Sequence, residues 1–64
     1  MEDYQERVIE EAAVLTTKVV ALRKFVDSPL CEGLSSRIKT LLSEQERHMT
    51  SYLHVLRDRI DGFQ

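Results

Sequence analysis

Almost nothing in this sequence can staple a fold together. There is one cysteine, Cys31, so no disulfide closes within the chain. With Glu32 beside it, that thiol is a poor thiolate, and a packing role is expected of it. A lone thiol also fits a reducing compartment. One proline and two glycines leave little punctuation, and Gly33 and Gly62 build no glycine-rich phosphate loop. The longest apolar runs, 12–15 and 19–22, stop at four residues, whereas a membrane span needs roughly 20. The acidic opening MEDYQE lacks the apolar segment of a secretory signal, so a cytoplasmic location is expected. Basic charge is not in excess either. Nine Lys and Arg against eleven Asp and Glu give a net charge of −2, which argues against duplex DNA held by phosphate neutralisation.

What remains is a 64-residue chain, 42% hydrophobic and 31% charged. It is too apolar for a disordered tract, and it is expected to form one domain, residues 1–64. A chain this short has trouble burying enough surface, and without staples self-association is the common remedy.

Helical periodicity is strong. Val8, Ala12, Leu15, Val19, Leu22 and Val26 recur at alternating steps of four and three, with Ile9, Ala13 and Val20 widening the stripe. The spacing predicts a first helix over about 3–27. Asp27-Ser28-Pro29 interrupts it, since proline disfavours helical geometry just before itself and suits the first turn of a new helix. Ser28 is a candidate cap over a short turn, and Gly33 is expected to relieve the backbone before Ser35 or Ser36 caps the next helix. The turn is expected over about 28–34 and a second helix over about 35–61. The second seam reads Ile38, Leu42, Gln45, Met49, Tyr52, Leu56, Arg59 and Phe63, flanked by Leu34, Leu41, Leu53 and Ile60. Gly62 is the expected stop, with Phe63 folding back.

A short connection makes the helices antiparallel, so the expected fold is all-α, an antiparallel helical hairpin. Its stripes are too broad for one neighbour, which predicts a homo-oligomeric helix bundle, four helices in the case of a dimer. Val8, Leu15, Leu22, Leu42, Gln45, Met49 and Leu56 are the candidate oligomer interface. Gln45 carries two readings. It meets its own copy across a dimer axis and so penalises wrong registers, or it sits at the seam's edge and reaches water.

No catalytic constellation is visible, and no enzyme activity or cofactor is expected. His48 and His54 lie six apart and point to different sides of a helix. Glu44 with His48, and His54 with Asp58, are pairs common on solvated faces, so no metal is expected. The open end of the hairpin is richer. It brings Tyr4 and Arg7 beside Tyr52, Arg57, Arg59 and Ile60. Tyrosines with arginines can stack a base and clamp a phosphate. The other reading pairs Arg7 and Arg59 with Glu6, Glu10 or Asp58 while the tyrosines complete the core.

The pattern Tyr4-x-x-Arg7, Leu15, Leu22, Phe25, then LLSEQ at 41–45, Met49, Tyr52, Leu56 and Arg59-Ile60 resembles a family of very short phage and prophage helical hairpins first noted in crAss-like phages. The resemblance covers nearly the whole chain. Its motifs are mostly helix-packing positions. That family is similar in size and architecture to phage sponge proteins that defeat CBASS and Thoeris immunity, though the sponges' proline turn with a following Arg-Glu pair is absent here. The resemblance implies a homo-oligomer in the host bacterial cytoplasm that sequesters a cyclic nucleotide signal between subunits without cleaving it. On that reading Tyr4 or Tyr52 stacks a base, and Arg7, Arg59 or Lys18 neutralises phosphate. A protein-interaction module, a phage inhibitor or adaptor docking a host protein through a bundle face, is the competing expectation.

Overall fold

The structure, a computed structural model, describes residues 2–63. Three helices follow one another: α1 (Asp3–Val26), the single turn α2 (Pro29–Glu32) and α3 (Ser36–Asp61). Local chemistry sets each end. The buried Gln5 accepts the Glu2 backbone N–H through Oε1 at 3.1 Å, half of a capping box that starts α1. Asp3 and Glu6 in its first turn, with Arg23 and Lys24 in its last, match the helix dipole. Ser28 does not cap α2. Its hydroxyl donates to the Phe25 carbonyl at 2.6 Å and closes α1 instead. Pro29 then begins α2 where no N–H is needed. Ser35 caps α3, accepting the Ile38 N–H at 3.3 Å.

Gly33 ends α2 and Gly62 ends α3, as expected. Neither is left-handed, with φ of −76° at Gly33 and −81° at Gly62. A right-handed finish suffices, because Gly62 N–H reaches the Asp58 and Arg59 carbonyls at 3.2 Å. Phe63 then drops back, its N–H on the Ile60 carbonyl at 3.0 Å and its ring against the core.

α1 and α3 lie side by side as a hairpin, and α2 rests on the end of α1. Cys31, 3% exposed, plugs the turn. The core is a single file: Val8, Ala12, Leu15 and Val19 from α1 against Leu53 and Leu56 from α3, with Met49, Ile60 and Phe63 packed on. Among the described residues Leu56 alone is fully enclosed. The body measures 47 × 14 × 14 Å with a radius of gyration of 14.6 Å, where a compact chain of this length would have about 10.7 Å.

The inward row of α3 is not the one read from the sequence. Leu42, Glu46, Met49, Leu53, Leu56, Ile60 and Phe63 are buried or half-buried, whereas Ile38, Gln45, Tyr52 and Arg59 are exposed. Both rows repeat every seven residues. The chosen row is apolar from Met49 onward, so it buries more carbon and leaves Gln45 and Arg59 hydrated. Glu46 is tolerated because Arg23 Nε–H donates to it, while Arg23 Nη2 donates to Thr50 Oγ1 at 3.2 Å. Of the residues expected between copies, Val8, Leu15 and Leu56 are already buried by the hairpin's own helices, and Leu22, Leu42 and Met49 are half-buried there. Gln45 reaches water beside Met49, its amide 3.8 Å from Sδ.

Candidate functional site

Each long helix uses one row for the hairpin and leaves a second row about a third of a turn away. On α1 that outer row is Tyr4, Arg7, Glu11, Val14, Lys18, Ala21 and Phe25. Running back along α3, it is Arg59, Val55, Tyr52, His48, Gln45, Leu41, Ile38 and Leu34. Every one of these residues is exposed. The two rows share a side of the hairpin, because the Tyr52 hydroxyl donates to Glu11 Oε2 across the helices. The candidates Tyr4, Arg7, Lys18, Tyr52 and Arg59 therefore fall on one face.

That face has a layout. Near the turn it is apolar, with Phe25, Ile38 and Leu41 each between 37% and 46% exposed. Towards the open end it carries the tyrosines and arginines. Tyr4 stands edge-on to Phe63, ring centres 6.0 Å apart at 83°, an arrangement aromatic pairs prefer. It keeps 57% of its surface in water, so it completes the core only in part. The Glu11 carboxylate pushes the Tyr52 phenol above its ordinary value of 10.0, first by accepting its hydrogen bond, while Arg59 pulls it down. Arg59 thus belongs to the Tyr52 neighbourhood. Among the described residues neither Arg7 nor Arg59 forms an ion pair, so the expected pairing with Glu6, Glu10 or Asp58 is not made. Arg57 and Ile60 lie off this face. Arg57 is about 200° round the helix from Arg59, and Ile60 turns to the core.

The face carries Arg7, Lys18 and Arg59 against Glu11 alone, on a chain whose net charge is −2. It favours an anion. It does not gather all five candidates at one point, since Lys18 lies about 10 Å along α1 from Glu11 and about 21 Å from Tyr4. Two surface hollows lie elsewhere. One, of about 290 Å³, is lined by Arg23, Val26, Asp27, Ser43 and Glu46. The other, of about 360 Å³, is lined by Lys39, Thr40, Ser43, Glu44 and Arg47. Neither includes a candidate residue. Among the described residues no three His, Cys, Asp or Glu side chains gather as metal ligands, and no helix is long and apolar enough to cross a membrane.

Glu11 is the member of this face that the sequence reading passed over. Its signal was available: Tyr4, Glu11, Lys18 and Phe25 are spaced by seven, a row as regular as the buried one.

The family model described as Sequestin matches residues 2–62. No curated protein and no solved structure matches the chain.

Proposed function

We propose a function for this chain, which belongs to the Sequestin family. The family's name speaks of sequestration, and we read this member as a binding protein that captures a small anionic ligand and holds it without cleaving it. The observation that carries this reading is the outer face. It holds two exposed tyrosines and three cations against one carboxylate, on a chain that is otherwise acidic. A tyrosine ring offers a stacking surface to a base, and arginines offer forked donors to phosphate oxygens. A cyclic nucleotide presents both groups. We therefore assign a cyclic nucleotide immune signal as the ligand, held stoichiometrically between copies in the cytoplasm of a phage-infected bacterium. The protein acts there as an anti-defence sponge rather than an enzyme.

Isothermal titration against cyclic di- and trinucleotides and cyclic ADP-ribose isomers tests this. Saturable heat with one of them is expected, with the ligand recovered unchanged by mass spectrometry. Tyr4→Ala and Arg59→Ala should each weaken binding roughly tenfold or more, the range of one stacked base or one charge-assisted contact. No heat across the panel removes the idea. The apolar half of the same face favours a second reading, a module that docks a host protein through Phe25, Ile38 and Leu41. Stoichiometric binding of a purified host protein, lost on Ile38→Asp, would favour it.

A further inference from the structure

We propose that two copies pack outer face to outer face about a two-fold axis parallel to the long helices, and that the open end of this dimer holds one anion bearing two phosphates. The anion rests on the binding face assigned above. The packing does not.

The register of the hairpin comes from contacts along its length. Arg23 reaches Glu46 and Thr50, and Tyr4 meets Phe63. These set Arg7 level with about residue 61, Val14 with about residue 54 and Phe25 with about residue 43. Tyr52 stretches along the groove to reach Glu11. An axis parallel to the helices keeps every level and lays α1 on the partner's α3. Val14 then faces the partner's Val55, and Phe25 falls within a turn of the partner's Leu41. Arg59 lies between the levels of Arg7 and Glu11, so it faces that pair on the partner.

The face is segregated along its length, and this selects the axis. From Lys18 to the turn its rows hold Ala21 and Phe25 on α1, then Gln45, Leu41, Ile38 and Leu34 on α3, with no acid or base among them. Arg7, Glu11 and Arg59 lie towards the open end. The parallel axis lays apolar half on apolar half, where burial stabilises most. A perpendicular axis near the middle turns one copy end for end and presses carbon onto the partner's arginines, and burying unpaired charge is costly. Moved to the turn, that axis overlaps little of either face.

The exposed area has the required size. The protomer exposes 4980 Å², whereas a compact monomer of this mass exposes about 4,250 Å². The excess is about 700 Å², close to the ~800 Å² that each partner contributes to a standard interface.

At the open end the same symmetry gathers Arg7 and Arg59 of both copies. Four guanidiniums meet two Glu11 carboxylates, which leaves two positive charges over. Like charges facing one another weaken an interface until they are paired. An anion with two phosphates pairs them, through the forked donors that arginine offers. Both copies contribute alike, so the dimer takes one such anion, with Tyr4 of each copy at the mouth. Lys18 lies about 10 Å further in than Glu11, outside the cluster.

Cross-linking tests the packing without any ligand. In a Cys31→Ala background under mild oxidation, Val14→Cys mixed with Val55→Cys should form a disulfide between copies, and Val14→Cys alone should not. Inorganic pyrophosphate serves as the anion. By sedimentation it should lower the dimer Kd about tenfold or more, and titration should saturate at one pyrophosphate per two chains. Arg7→Gln should tighten the ligand-free dimer about threefold or more by relieving the crowding, yet abolish the pyrophosphate effect. A merely structural role for Arg7 would not move the two in opposite directions. The proposal is overturned if Val14→Cys cross-links with itself, if Arg7→Gln weakens the ligand-free dimer, or if the wild type stays a monomer with pyrophosphate. Nucleotide heat at one ligand per chain would keep the capture function and overturn this arrangement. The expected cross-link and pyrophosphate response without nucleotide heat would support it and remove only the nucleotide.

Discussion

Truncating Leu56 and its neighbour Val55 separates the two rows of α3. Among the described residues Leu56 is the one fully enclosed side chain, at 0% exposure, while Val55, one residue earlier, is 54% exposed on the outer face. Leu56→Ala removes buried carbon and leaves a cavity, which costs about 2–5 kcal/mol. A chain of this length holds roughly 3–10 kcal/mol in total, so this one change takes about a fifth of the stability or more. In a domain of this size each 1 kcal/mol moves Tm by about 4–8 °C. Leu56→Ala should therefore melt at least ~8 °C lower, at every protein concentration, by circular dichroism. Val55→Ala should be silent within about 0.5 kcal/mol in dilute solution. It should cost about 1–2 kcal/mol once copies cover that face, at ~0.8 kcal/mol per buried CH₂. Equal losses for the two variants at all concentrations would refute the assignment of Leu56 inward and Val55 outward. A Leu56→Ala shift below about 4 °C would refute the claim that this single file of side chains holds the hairpin.

Three further outcomes follow from the same structure. The Tyr52 phenol should titrate above its ordinary 10.0, and Glu11→Gln should bring the midpoint down by ultraviolet difference absorbance. The folded state holds that proton more tightly, so this contribution to stability is whole below about pH 10 and fades as pH rises through the folded value. Tm should accordingly fall more steeply above pH 10 in the wild type than in Glu11→Gln. Arg23→Ala should cost no more than ~1 kcal/mol in urea unfolding, because its ion pair with Glu46 is half exposed and screened. Gly62→Ala should stabilise by about 0.4–1 kcal/mol, since its φ is −81° and an added Cβ meets only carbonyl oxygens at 3.5 and 3.7 Å. A destabilised Gly62→Ala would show that the right-handed finish of α3 is misjudged.

The helical hairpin was legible because two heptad stripes separated by Asp27-Ser28-Pro29 admit few other solutions. The face that α3 turns inward was not. Heptad rows come in adjacent pairs, and periodicity alone cannot say which pair a neighbour covers. Leu42, Met49 and Leu56 belong to the inner row on either choice; the error lay in taking Gln45, Tyr52 and Arg59 with them rather than Glu46, Leu53 and Ile60. Glu46 sits on the inner row only because Arg23, 23 residues away, supplies its partner. Gln5 was missed for a similar reason, since its burial depends on the Glu2 N–H that it accepts. Tyr4, Arg7, Lys18, Tyr52 and Arg59 were named as chemistry. Their common side became readable only when Tyr52 was found on Glu11.

The narrow build has a kinetic side. With one turn, α2, joining two rods, the levels nearest the turn close the shortest loops. Arg23 finds Glu46 across 23 residues, and Tyr52 finds Glu11 across 41. Lengthening a loop that far adds only about 0.5 kcal/mol of closure entropy. The chain can thus fasten like a zip from Cys31 towards Phe63, with no long-range strand pairing to wait for. Helical chains of this topology reach their native form in microseconds to milliseconds.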